Sequence, residues 1–167
     1  MKHPKRLYLV RHAKSSWQNL SLNDFERPLN KRGKRDAPFM GDRLQKHKVR
    51  PDILVSSPAR RARKTARTIA GKIDYPLKKI IFMEEIYAEG LDALVSLLKG
   101  LDDSLRTVML VGHNPNLTML AELLTSKAVG NIPTCGIFCM EFNTDSWQDI
   151  APGSGSFIFL DYPKKHA

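Results

Sequence analysis

The chain has 167 residues, the length of one domain, and at that size roughly 70% of the unfolded surface can be buried without a disulfide framework. Apolar residues make up 42% and charged residues 26%, which excludes a disordered or fibrous chain. No stretch approaches the about 20 apolar residues of a membrane span. The formal charge of +10 and pI near 9.8 attract polyanions in general, but the basic residues lie scattered through 31–50, 60–67 and 164–165, without the aromatic interleaving of a single-strand binding platform.

The chain opens on the basic run Met1-Lys2-His3-Pro4-Lys5-Arg6, and the apolar residues 7–10 behind it are too few for a signal-peptide core. Residues 7–10 are read instead as a first strand. Residues 30–46 carry Ala37, Met40 and Leu44 at spacings of three and four, hence on one helix face, although Pro38 removes a donor. Residues 53–55 are a second buried strand. Ser57 then offers an N-cap and Pro58 a tolerated first-turn residue for a basic helix running to Gly71. A third strand over 80–82 and a helix over 91–98, with Gly100 past its end, precede the clearest strand, 107–111. That strand runs into Gly112-His113-Asn114-Pro115 and an apolar helix over 117–124. Strands over 136–142 and 156–160, joined through Trp147 and Gly153-Ser154-Gly155, close the chain.

Strands alternating with helices imply an α/β domain spanning 1–167, with a mainly parallel sheet covered on both faces and an antiparallel edge from the last strand pair. Cys135 and Cys139 lie four apart in the apolar run 135–142. A disulfide so local in an extended segment would be strained, and no second cysteine pair is present for a zinc site. Both are read as small buried hydrophobes in a reducing, cytoplasmic setting.

Ligands of such sheets bind beyond the carboxyl ends of the strands. Three polar clusters fall there: Arg11-His12, Ser56-Ser57 with the arginines after it, and His113-Asn114. Singly, each has an ordinary explanation: surface decoration, a solvated helix face, a turn. Together they fit phosphoryl transfer to a histidine. The attacking ring must be neutral at one nitrogen and held by a hydrogen bond at the other, while the phosphoryl oxygens keep their charge and need planar, bidentate donors. Arginine meets that need better than lysine.

Those residues resemble the histidine phosphatase superfamily, specifically its compact SixA-type phosphohistidine phosphatase branch. The likeness runs from Leu7-Tyr8-Leu9-Val10-Arg11-His12-Ala13 through Asp24-Phe25-Glu26-Arg27-Pro28-Leu29, Arg32-Gly33, Ser56-Ser57-Pro58, Arg61-Ala62 with Thr65-Ala66, and Val111-Gly112-His113-Asn114-Pro115. The resemblance implies a phosphoglycerate mutase-like fold, a three-layer α/β/α sandwich around a mainly parallel mixed sheet. It also implies His12 as the nucleophile and Arg11, Arg61 and His113 as the groups that stabilise phosphoryl charge; Arg60 does not sit in that frame. Lys14 and Ser15 become candidate phosphate contacts, and no metal or organic cofactor is implied.

The sequence departs from mutase-like members at their glutamate general acid, where Ala88 stands, flanked by Glu85 and Glu89. Either glutamate is a candidate acid. An alkoxide needs a proton on leaving, a contribution worth roughly 10²- to 10⁴-fold, whereas the imidazole of a phosphohistidine leaves far more easily. The expected substrate is therefore a phosphohistidine on a protein. The alternatives are a small phosphomonoester, with Glu85 or Glu89 as acid, and a basic module that binds polyanions without catalysis. Neither a membrane nor a dedicated nucleic-acid partner is expected.

Overall fold

The computed structural model describes residues 4–167; Met1, Lys2 and His3 of the basic opening run lie outside the described residues. Six strands form one sheet: β1 (Lys5–Arg11), β2 (Ile53–Ser56), β3 (Ile81–Phe82), β4 (Thr107–Gly112), β5 (Ile137–Phe142) and β6 (Gly155–Asp161). Their order is β3-β2-β4-β1-β5-β6. The pairs from β3 to β1 are parallel, whereas β5 pairs antiparallel with β1 and β6 with β5.

The central strands read as unbroken apolar runs because both of their faces are covered. Leu7 and Leu9 of β1, with Val108 and Leu110 of β4, enter one core layer, while Tyr8, Val10, Met109 and Val111 enter the other. The second layer is closed by α1 (Lys31–Lys46) and α2 (Arg60–Lys72), through Ala37, Met40 and Leu44 of α1 and Ala62, Ala66 and Ile69 of α2. The first is closed by α4 (Leu91–Lys99), α5 (Asn116–Thr125) and Trp147, with Ile86 of the short helix α3 (Glu84–Ala88). Each leucine, isoleucine, valine or methionine among them, when fully buried, contributes about 1.5–3 kcal/mol. The result is the three-layer α/β/α arrangement.

Helix α1 starts where Asn30 Oδ1 accepts the Gly33 N–H at 2.9 Å and runs unbroken through Pro38. The carbonyl that loses its partner to that proline belongs to exposed Lys34, at the solvent side of the helix.

Three local expectations change. Ser57 does not cap α2: the cap position is Ala59, without a side-chain bond, and the helix starts at Arg60 and ends at Lys72. Ser57 Oγ instead accepts the Ala59 N–H at 3.1 Å and turns toward the sheet edge, leaving Pro58 before the helix. Cys135 precedes β5 in the left-handed region, with φ 59°, so strand alternation does not orient it. Both cysteines are nevertheless free and buried in the same core layer. Helix α3 went unread, because five residues carry too little periodicity to show one.

Candidate active site

The sheet register places the site. Arg11 of β1 pairs with Gly112 of β4, and Val111 of β4 with Ser56 of β2. One residue beyond these pairs, three parallel strands deliver His12, His113 and Ser57 side by side. The exits are pinned by the backbone: His12 N–H donates to the Gly112 carbonyl (3.1 Å), Ser57 N–H to the Val111 carbonyl (3.0 Å) and Cys135 N–H to the His12 carbonyl (3.1 Å). The rings of His12 and His113 are 5.1 Å apart.

His12 is only 8% exposed, and its Nδ1 lies 2.8 Å from the carbonyl oxygen of Ala13. A carbonyl only accepts, so Nδ1 carries the proton and Nε2 the free lone pair. Burial pulls the ring's pKa down to about 3, a shift that the Ala13 carbonyl opposes and that the nearby His113, Arg61 and Arg11 extend. The ring is therefore neutral, with one nitrogen oriented and the other available, as a nucleophile requires.

His113 Nε2 meets Ser57 Oγ at 2.7 Å, while its Nδ1 is buried and unpartnered. Because Ser57 Oγ already accepts from Ala59, its own proton can go to His113 Nε2. Nδ1 then carries an N–H with nothing to donate to. Burial, followed by the charge of Arg61, lowers this ring's pKa to about 4.

The two arginines are held by loop residues, Arg61 by Asp24 and Arg11 by Ile132. Arg61, in the first turn of α2 and 6% exposed, donates Nη1 to the Asp24 carbonyl (2.6 Å) and Nη2 to Asp24 Oδ2 (2.9 Å). Arg11 donates Nη1 to the Ile132 carbonyl (2.9 Å). That carbonyl also accepts from Asn114 Nδ2 at 3.0 Å, which ties Arg11 to the turn carrying His113. The Nε atoms of Arg11 and Arg61 are buried without a partner. Buried orphan donors are costly unless something accepts from them, and here two guanidinium nitrogens and an imidazole nitrogen share that state around a neutral histidine. A bound oxyanion would satisfy them.

Other residues hold this arrangement. Thr65 Oγ1 accepts the Ala13 N–H (3.0 Å) and donates to the Arg61 carbonyl (2.8 Å), joining the first loop to α2. Asp24 also takes the Tyr87 hydroxyl proton at 2.9 Å and the Arg27 Nε–H at 3.2 Å. Burial pushes the Asp24 carboxyl upward, but the bonds from Arg61 and Tyr87 hold it below the usual range. Tyr87 meets His113 edge-on at 5.6 Å.

Among the remaining candidates, Ser15 is buried and bridges to Leu29, and exposed Lys14 lines a cavity beside Arg11. Glu85 and Glu89 are exposed and line a different groove, with Met83, Ala93 and Ser96. The carboxylate in contact with the site's arginine is that of Asp24. Exposed Arg60 reaches only the Glu26 carbonyl, at 3.4 Å. Sequence reasoning did not find the roles of Asp24, Ser57, Thr65, Tyr87 and Ile132. Asp24 and Thr65 lay inside segments already singled out, but only the fold shows what they touch.

A three-layer α/β fold with a neutral histidine, two arginines and a second histidine at adjoining strand ends defines a protein that handles phosphoryl or similar oxyanions. The sequence model of the histidine phosphatase superfamily (branch 1) matches residues 7–95, and the chain belongs to that superfamily. An uncharacterized chloroplastic protein of Arabidopsis thaliana is 31% identical, over 90% of this chain and 72% of its own. A protein of Agrobacterium tumefaciens assigned as the phosphohistidine phosphatase SixA superposes with a TM-score of 0.82 at 27% identity, over 96% of this chain and 99% of that one. A protein histidine phosphatase SixA complexed with tungstate gives 0.84 at 19% identity, covering 97% and 99%; it shares the fold. The chain is a phosphatase.

Proposed function

We propose that the enzyme removes the phosphoryl group from phosphohistidine on a protein, through a phosphohistidine intermediate on its own His12. The lone pair of His12 Nε2 attacks phosphorus as the substrate's P–N bond breaks. The electron pair of that bond goes to the leaving imidazole, which takes a proton from water. Arg11, Arg61 and His113 Nδ1–H hold the phosphoryl oxygens, with Lys14 and Ser15 beside them. Water then attacks phospho-His12, releasing inorganic phosphate and restoring the neutral ring.

The observation that carries this reading is the state of His12, buried, neutral and fixed through Nδ1 to the Ala13 carbonyl. The choice of leaving group rests on the carboxylates. Asp24 is held ionised by Arg61 and Tyr87, a poor proton donor, and Glu85 and Glu89 line another groove. A site so equipped favours a leaving group that needs little help. The resemblance to SixA proteins supports the same substrate.

The test compares wild type and His12→Ala on a phosphohistidine peptide and on several sugar phosphates, with trapping of an acid-labile phosphoenzyme. Wild type should prefer the peptide and form the intermediate, and His12→Ala should do neither. A fully active His12→Ala overturns the nucleophile. A preference for sugar phosphates that is lost in Glu85→Gln or Glu89→Gln overturns the substrate in favour of a phosphomonoester.

A further inference from the structure

Beside the nucleophile's loop lies a hollow of about 260 Å³ whose wall carries four cationic side chains as well as Asn131, Pro133 and Thr134. Arg11 ends β1, Lys14 follows in the first loop, Arg32 sits in the first turn of α1, and Lys164 belongs to the C-terminal turn (Pro163–His166). One carboxylate, Asp36, shares the wall and pairs with Arg32 Nε at 3.4 Å. Arg32 Nη2 donates to Thr134 Oγ1 at 2.8 Å, so the guanidinium is held in place. Among the described residues, neither Lys14 nor Lys164 forms an ion pair with a carboxylate. Four cations thus converge against one anion. The Nε of Arg11 is buried without a hydrogen-bond partner, and that of Arg32 has only its 3.4 Å ion pair with Asp36.

Nothing in the phosphoryl step uses Arg32 or Lys164, and a purely structural role does not account for lysines without a carboxylate partner beside an open hollow. Like charges brought together lower stability unless an anion visits them. The hollow adjoins the phosphoryl site through Arg11, which lies near enough to both histidines to lower their pKa values. We propose that this hollow is a second anion subsite that takes a carboxylate or phosphate carried by the substrate itself, beside the phosphoryl group being transferred. In the reading of the substrate as a phosphoprotein, which this inference deepens, the occupant is an acidic side chain near the phosphohistidine.

Binding tests the subsite independently of turnover. Non-hydrolysable alkylphosphonates of graded chain length are compared, by calorimetry, with the same compounds bearing a terminal carboxylate. At the best length wild type should bind the carboxylate form about 5- to 10-fold more tightly, the scale of one well-placed, partly screened charge contact. Arg32→Gln should abolish that ratio. Lys164→Gln, at the surface, should reduce it and serves if loss of the Thr134 bond unfolds the first variant. Equal affinity for the two series in wild type at every length overturns the proposal, as does a ratio unchanged in both variants. Phosphohistidine peptides with Glu or Gln beside the modified residue then locate the anion. A Glu preference places it on a protein, and a preference confined to the phosphonates places it on a small phosphate. If no phosphohistidine peptide is hydrolysed, the substrate reading fails while the phosphonate ratio still decides the subsite.

Discussion

Lowering the pH from about 7 to about 5 should cost the folded protein about 4 kcal/mol through His12 and His113. An unfolded histidine titrates near 6.5, whereas burial holds these two at about 3 and about 4 in the folded chain. Between those values and 6.5 the unfolded state binds protons that the native state refuses. Their contribution is therefore intact above about 6.5 and is lost progressively as the pH falls toward the folded values. At about 1.4 kcal/mol per unit, each group costs about 2 kcal/mol near pH 5. Against a typical stability of about 5–15 kcal/mol the sum is large. Urea unfolding across this range, on wild type and on the double variant His12→Asn, His113→Asn, isolates it. The carboxylates with depressed pKa values, such as Asp24, lose their share only lower, nearer their unfolded value of about 3.9. The double variant should show a markedly flatter pH dependence than wild type. Parallel curves would mean that the rings are not held neutral by burial, and the account of the nucleophile would fall with them.

Gly33→Ala should damage the first loop, because its new Cβ would lie 2.2 Å from the Lys14 carbonyl oxygen, backbone against backbone with no flexible end to yield. A loss of at least about 1–3 kcal/mol and about tenfold lower kcat/KM is expected; a variant unchanged in both unfolding and kinetics would contradict the close approach. Asp24→Asn should tighten competitive inhibition by inorganic phosphate a few-fold to about tenfold, since it removes a half-exposed negative charge facing the incoming dianion. Weaker inhibition would instead make Asp24 chiefly an orienting group for Arg61.

The elements most legible in the sequence are those whose environment is uniform. Residues 108–111 are buried on both faces and read as a continuous apolar run, and Ala37, Met40 and Leu44 repeat because α1 presents one face to the core. His12 and His113 were legible for a related reason: a polar pair directly after an apolar strand marks a strand exit, and parallel pairing brings such exits together. Contacts across the fold were not legible. Ser57 looks like an N-cap because serine before a helix usually is one. It lies instead in the turn before α2, where a 2.7 Å contact with His113 takes its hydroxyl. The window around Ala88 drew attention to carboxylates, yet the side chain there that reaches the site is Tyr87, through its hydroxyl on Asp24. Asp24 lies 37 positions from Arg61 in the chain, and local pattern has no means of pairing them.

The Asp24 network also explains how a buried arginine can be both paired at rest and available to substrate. A guanidinium as enclosed as that of Arg61 needs a counter-charge, and an isolated buried ion would cost several kcal/mol. If Asp24 served Arg61 alone, an arriving phosphoryl group that took Arg61 would leave the half-exposed carboxylate to water alone. Asp24 is instead shared: Oδ1 accepts from Arg27 and Oδ2 from both Arg61 and Tyr87. Arg27 is itself fixed, 7% exposed and stacked 3.4 Å over the Trp17 ring. When phosphoryl oxygens draw the Arg61 Nη groups away, Arg27 and Tyr87 still satisfy the carboxylate. In the proposed mechanism Arg11 and Arg61 would together balance the dianion, Arg27 would balance Asp24, and the two histidines would stay neutral. Charge would then be nearly compensated in the loaded site without protonating His12, and the lone pair on its Nε2 would remain free for the attack.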